Sequence, residues 1–291
     1  MLRGMPRCGS MGLARGGSTA TATHLRGHRS GREGIARMEP LDTATGCTVG
    51  LIHLPGGILF FKNRDLDKKY HTHRITVWQS TPEVHVLQGA NLKTGELQGV
   101  AIGVNRHGVC VANTHVASTP DVTYDLLCEE LVRHACEQAD VPAIVQASVE
   151  RHPVQGGRIL VACPAWAFLV EVYQRQFEIR PVVGNVALTN TFSLIQHRPE
   201  RPDEDERSSA NRLEVASRLV GTISGVGPLK SMLRSHIPEK GHTSICNHRT
   251  GGGGTESSHI IQVVGDQVTW WSLVGYPCEN DYRSLHLFQP R

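Results

Sequence analysis

The chain has 291 residues, enough for one large domain or two small ones around a sizeable core. Hydrophobic residues at 39% and charged residues at 20% exclude a disordered chain, and no run of about 18 apolar residues offers a membrane span. The formal charge of +3 is uneven: residues 1–46 hold seven Arg against Glu33, Glu39 and Asp42, while residues 47–291 hold 23 basic and 24 acidic residues. A body so close to neutral argues against a nucleic-acid-binding surface.

Residues 1–37 are rich in Arg, Gly, Ser and Thr and lack an apolar h-region, which excludes a secretory signal. They read as a disordered leader, with three origins open: a transit peptide, a flexible tail, or a start assigned too early with Met38 as the true one. The leader is taken to end at Gly46, and residues 47–291 form the expected single domain. From Thr45 the pattern turns to β. Residues 47–53 and 57–63 are strands joined by Leu54-Pro55-Gly56 as a hairpin. Further strands are predicted at 73–79, 84–88, 98–104 and 108–114. Helical periodicity follows at 122–138 and 141–151, with Leu127, Leu131 and Ala135 on one face. Strands return at 158–163, 166–173, 176–181 and 185–190. The acidic run 199–206 reads as a solvated loop or helix lead-in. Helices are predicted at 208–222 and 227–235, a loop at Gly251–Gly254, and strands at 258–264 and 267–275 close the chain. Two antiparallel sheets packed face to face, with helices on both outer faces, satisfy this order.

Eight cysteines lie scattered without a framework spacing, and no CxxC occurs. They read as mostly reduced, buried thiols of a cytoplasmic protein. Cys47 differs by position. It begins a strand directly after the leader and follows Gly46. Taken alone it is simplest read as a structural thiol. If the preceding bond were cut, it would carry a thiol and a free α-amine of pKa about 7.7–8.0, able to act as a base for the thiol. Gly46, without a Cβ, lets a thiol approach its carbonyl. In an antiparallel hairpin Asn63, Arg64 and Asp65 end the second strand beside Cys47.

Gly46-Cys47-Thr48, the hairpin and Phe61-Lys-Asn-Arg-Asp65 together resemble the start of the N-terminal-nucleophile amidohydrolases, above all the acyl-coenzyme A:6-aminopenicillanic-acid acyltransferase family. Four further stretches agree in order: Gly103-Val-Asn-Arg-His-Gly-Val-Cys-Val-Ala-Asn113, Leu188-Thr-Asn-Thr-Phe192, Ser244-Ile-Cys-Asn-His248 and Gly275-Tyr-Pro-Cys-Glu-Asn-Asp-Tyr282. The resemblance spans residues 46 to about 288 and implies an α+β fold, a four-layer αββα sandwich of two antiparallel sheets. It implies that Cys47 is the nucleophile, Asp65 the acid that orients it and its amine, and Asn190 the side-chain donor of an oxyanion hole. Gly46 and Cys47 would flank a self-cleavage site. Two positions depart from the family: Thr191 stands for its usual His, and Asn247 for a frequent Arg. Arg64 or Arg249 is then the candidate for charge stabilisation.

The implied function is a self-processing cysteine hydrolase or acyltransferase. It would cleave or transfer the acyl group of a linear amide through a Cys47 thioester. Two alternatives stand beside it: a penicillin V acylase, bile-salt-hydrolase or dipeptidase-type relative, and a non-catalytic binding module on the same fold. The expected partner is a small-molecule amide or acyl thioester, with no nucleic acid and no membrane; a homo-oligomer is compatible with this reading. No cofactor is expected, and no metal, because His71 and His73 lack evident partner ligands. His107, His115, His134, His242, His248 and His259 read as surface or hydrogen-bonded residues. Cys246 and His248, two apart on one segment, read as independent. Trp270 and Trp271 read as core first and pocket second.

Overall fold

The computed structural model describes residues 46–67, 74–91, 97–200, 202–249 and 252–288. Residues 1–45 of the expected leader, and His71 and His73, lie outside them. The chain divides into Met1–Glu39 and Pro40–Arg291, and every described residue falls in the second unit.

Thirteen strands and four helices occur among the described residues, in the order β1 (Cys47–Leu54), β2 (Gly57–Asp67), β3 (Arg74–Ser80), β4 (Val84–Asn91), β5 (Leu97–Asn105), β6 (Cys110–Ala117), α1 (Tyr124–His134), α2 (Asp140–Arg151), β7 (Val154–Cys163), β8 (Trp166–Gln174), β9 (Gln176–Pro181), β10 (Val186–Leu188), α3 (Asp203–Val220), α4 (Val226–Leu233), β11 (Gly253–Val264), β12 (Gln267–Val274) and β13 (Arg283–Leu287). One sheet runs β10-β1-β2-β11-β12-β13 and the other runs β3 to β9 in chain order. Every pairing within both sheets is antiparallel.

The layers follow from strand alternation, since successive side chains point to opposite faces. Val49, Leu51, Ile58 and Phe60 of the first sheet meet Leu87, Ile102, Ala112 and Leu160 of the second. The other face of the second sheet, including Val111, Ile159 and Val161, is covered by Leu127, Leu131 and Val145 of α1 and α2. The other face of the first, with Ile52, Leu59 and Phe61, is covered by Val215, Ala216 and Leu229 of α3 and α4. Helix, sheet, sheet, helix is the expected four-layer architecture. No helix among the described residues is long and apolar enough to cross a membrane.

Local differences have local causes. The acidic run opens α3: Asp203, Glu204, Asp205 and Glu206 fill its first turn, where carboxylates oppose the positive end of the helix dipole. Helix α1 stops four residues before its predicted end because the Asp140 carboxylate accepts the Cys136 and Glu137 N–H groups, closing a turn there. Strand β13 is an addition that the sequence reading lacks. Its first four residues are exposed at a sheet edge, so they show no core alternation. The predicted loop at Gly251–Gly254 is corrected in part, since Gly253 and Gly254 begin β11. At φ +116° Gly254 packs against the Asn247 carbonyl where a Cβ would collide.

Candidate active site around the Gly46–Cys47 bond

The Pro55-Gly56 turn, with Gly56 at φ +78°, sets the hairpin register. Cys47 lies opposite Arg64, and Val49 opposite Lys62. Directly opposed residues share a face, so the Cys47 side chain, like Val49, points between the sheets on the side of Arg64 and Lys62. Arg64 also donates to Glu256 at 3.2 Å. Lys62 is buried and donates to the Ala101 carbonyl, the Asn113 carbonyl and Asn113 Oδ1. Asn113 in turn donates to Asp125 at 2.8 Å, which gives the buried lysine a counter-charge through one amide. Tyr124, the first residue of α1, is buried; burial first, then Asp125 and then Cys47, push its phenol well above the usual range.

Asp65 is one residue further along β2 and so lies on the opposite face of the sheet from the thiol. Its Oδ1 accepts from Thr255 at 2.8 Å and its Oδ2 from Asn247 at 3.2 Å. Burial pushes its carboxyl up to about 6, against the pull of Arg212 and of those two donors. A Cβ built on Gly46 would lie 3.1 Å from Asp65 Oδ2 and 2.8 Å from Arg212 Nη2. Asp65 therefore stands at the Gly46–Cys47 backbone, on the amine side rather than the thiol side.

Asn190 comes from the loop after β10. That loop is pinned by Glu171, whose carboxylate accepts the Ser193, Leu194 and Ile195 N–H groups and pairs with buried Arg158 at 2.9 Å. Asn190 Oδ1 accepts the Cys47 N–H at 3.0 Å and Arg212 Nη2 at 3.0 Å. Two donors on one atom identify it as the amide oxygen. Asn190 Nδ2 donates to the His115 carbonyl at 2.8 Å. Asn190 thus presents its oxygen to Cys47, while its amide nitrogen donates one of its two N–H groups to the His115 carbonyl.

Arg212 is the group that sequence reasoning missed. It is 1% exposed on α3, where Ser208 and Arg212 are one turn apart on the buried face. Nη1 donates to the Cys47 carbonyl at 2.6 Å and to Thr48 Oγ1 at 3.2 Å, and Nε to Ser208 Oγ at 3.2 Å. Arg249, one of the two arginines expected to assist, instead pairs with Asp205 at 2.6 Å, beside His242. Thr191 meets Ser209 at 3.0 Å. A cavity of about 750 Å³ opens at this junction, with Gly46, Asn190, Arg212, His115, Tyr173 and His242 among its walls. Such a volume suits a small organic ligand.

Four of the other thiols are buried and poorly placed for nucleophilic work. Burial raises Cys110, Cys128 and Cys163 and pushes Cys246 up to about 12. His259 departs from its reading: it is fully buried, and burial pulls its imidazole well below the usual range.

No family model matches the chain, and no curated protein matches it. Solved structures do. Penicillin V acylase from Agrobacterium tumefaciens is 7% identical, with a TM-score of 0.48 over 79% of this chain and 83% of that one. A variant of conjugated bile acid hydrolase from Clostridium perfringens is 9% identical, with a TM-score of 0.46 over 82% and 97%. An N-acylethanolamine-hydrolyzing acid amidase ortholog of Caenorhabditis elegans is 11% identical, with a TM-score of 0.43 over 74% and 92%. These neighbours are N-terminal-nucleophile hydrolases. Likenesses this remote assign neither a substrate nor a residue's role to this chain. The reasons for a function lie in its own geometry.

Proposed function

We propose that this protein is a self-processing cysteine amidohydrolase or acyltransferase acting on a small linear amide. One observation carries the reading: side chains from three distant segments converge on the backbone at Gly46–Cys47. Asn190 holds the Cys47 N–H, Arg212 holds the Cys47 carbonyl, and Asp65 flanks Gly46. An ordinary strand start needs one or two backbone partners. It does not need a buried guanidinium and a buried carboxylate, each of which is costly to desolvate.

In this reading the Cys47 thiol adds to the Gly46 carbonyl carbon. The Gly46–Cys47 C–N bond breaks, the thiol proton passes to the departing nitrogen, and a thioester joins Gly46 to Cys47 Sγ. Water opens the thioester, releasing a Gly46 carboxylate and leaving Cys47 with a free thiol and α-amine. The same steps then serve a substrate amide, with the α-amine carrying the proton. The substrate takes the cavity lined by His115, Tyr173 and Asn190. Water or an amine accepts the acyl group.

The test is intact mass and N-terminal sequencing of the purified full chain. Wild type should begin at Cys47, and Cys47→Ala should keep the bond. Wild type that remains uncut while hydrolysing amides would overturn self-processing. Wild type that neither cuts itself nor hydrolyses an amide panel would leave only the binding module.

A further inference from the structure

Four side chains outside this chemistry converge around the segment that holds Asn247. His236 follows α4, Cys246 and His248 lie in the irregular stretch before β11, and Cys278 lies in the turn between β12 and β13. One ligand atom from each lies within 4.8 Å of all the others. His248 Nε2 is 3.2 Å from His236 Nε2, 3.4 Å from Cys246 Sγ and 3.3 Å from Cys278 Sγ.

Protons cannot satisfy this arrangement. A neutral imidazole nitrogen offers either one N–H or one lone pair, yet three polar atoms crowd His248 Nε2 at contact distance. A cation at the centre satisfies all four at once. The spacing also fits a particular cation. Tetrahedral zinc, with Zn–N about 2.0–2.1 Å and Zn–S about 2.3 Å, separates two nitrogens by about 3.3 Å and a nitrogen from a sulfur by about 3.5 Å. The three separations above are within a few tenths of those edges. Two sulfurs and two imidazoles, with no carboxylate, are a zinc-type donor set.

We propose that His236, Cys246, His248 and Cys278 bind one structural Zn²⁺. All four vertices are protein ligands, which leaves no open position and marks the site as structural rather than catalytic. The ion explains how an irregular stretch of this length is held. Its backbone is already tied at both sides of the cluster, with Cys246 N–H on the Ser235 carbonyl at 3.0 Å and Thr255 N–H on the Asn247 carbonyl at 2.9 Å. Tyr276 stacks on the His248 ring with centroids 4.0 Å apart. Asn247, which donates to Asp65, sits between two ligands, so the ion fixes the segment that supports the candidate active site. Standard ligand spacings miss this set because the fourth ligand lies thirty residues beyond the third.

The test uses untagged full-length protein, dialysed after purification. Elemental analysis should find about one zinc per chain, and replacement with Co²⁺ should give the visible spectrum of a tetrahedral site with two thiolates. The Cys246→Ser, Cys278→Ser double variant should lose both. If that variant does not fold, the wild-type stoichiometry and cobalt spectrum decide alone. Three results would overturn the proposal: wild type that stays metal-free after exposure to zinc, full zinc content retained by the double variant, or a Cys246–Cys278 disulfide throughout the purified protein. None of these readouts depends on amidase activity or on cleavage at Cys47.

Discussion

Arg212 on α3 and Cys47 at the head of β1 are 165 residues apart and meet through a 2.6 Å hydrogen bond from Nη1 to the Cys47 carbonyl. The second guanidinium nitrogen reaches Asn190 Oδ1, so one planar fork fixes both a strand start and a loop. Lysine offers a point charge and cannot hold both. Arg212→Lys should fold yet slow cleavage on the order of 10²-fold, the usual cost of losing one preorganised donor. The check is a time course of intact mass. Cleavage at the wild-type rate would show that Arg212 only fills space.

Asp65 should make stability depend on pH in an unusual direction. Its folded value of about 6 lies above the ordinary 3.8. The folded state therefore binds the extra proton between those values, and this group's contribution to stability falls as pH rises from about 4 to 6. Above pH 6 the penalty is constant, on the order of 3 kcal/mol. In the Cys47→Ala background, which keeps the bond, Asp65→Asn removes that fall, so the urea midpoints with and without it should diverge from pH 4 to pH 6. Cleavage should move oppositely. In wild type it should rise as the carboxylate ionises near pH 6, and Asp65→Asn alone should lose that limb. Parallel midpoint curves would place Asp65 in a different electrostatic setting.

How much of this was legible in the sequence depends on the range of the interaction. The β1–β2 hairpin is local, and Leu54-Pro55-Gly56 marks its turn, so the neighbourhood of Cys47, Arg64 and Asp65 could be read directly. Which of them face one another could not. Strand parity puts Arg64 with the thiol and Asp65 behind it, and a shift of one residue would exchange them. Arg212 was illegible for another reason. Ser208-Ser-Ala-Asn-Arg212 is a polar helical stretch, and only the packing of α3 on β1 shows that Ser208, Ser209 and Arg212 are its buried residues. The Cys246–His248 pair was visible, but its partners His236 and Cys278 come from other parts of the chain.

Asn190 has two separable chemical faces. Its oxygen accepts from Cys47 and Arg212, and its nitrogen donates to His115. Asn190→Asp keeps the acceptor and removes the donor, whereas Asn190→Ala removes both. If the oxygen orients Cys47 during cleavage and the nitrogen later serves an oxyanion, Asn190→Asp should cleave within about tenfold of wild type. Its kcat should then fall by about 10²–10³ with little change in KM. Asn190→Ala should be slow at both steps. Equal defects of the two variants in cleavage and in turnover would show that the oxygen and nitrogen have no separate roles.

Gly46 allows the cleanest separation of maturation from catalysis, because the proposed reaction removes it. A Cβ at this position would lie 2.8 Å from Arg212 Nη2, 3.1 Å from Asp65 Oδ2 and 3.3 Å from Arg212 Cζ. Both side chains are buried, and Arg212 is held by hydrogen bonds to Cys47, Thr48, Asn190 and Ser208, so neither can swing aside without breaking contacts. Gly46→Ala should therefore push Arg212 or Asp65 off the bond and cleave more slowly, by about tenfold for each 1.4 kcal/mol that losing their contacts adds to the barrier, and Gly46→Val more slowly still. The product is the same chain beginning at Cys47 in every case. Once cleaved and purified, Gly46→Ala protein should match wild type in kcat and KM for an amide substrate. Slow cleavage with normal turnover is the expected pair of results. Normal cleavage in both variants would mean that the Gly46–Cys47 bond is not gripped as described, and a lasting turnover defect in product shown by mass to begin at Cys47 would mean that maturation and catalysis are not separable at this position.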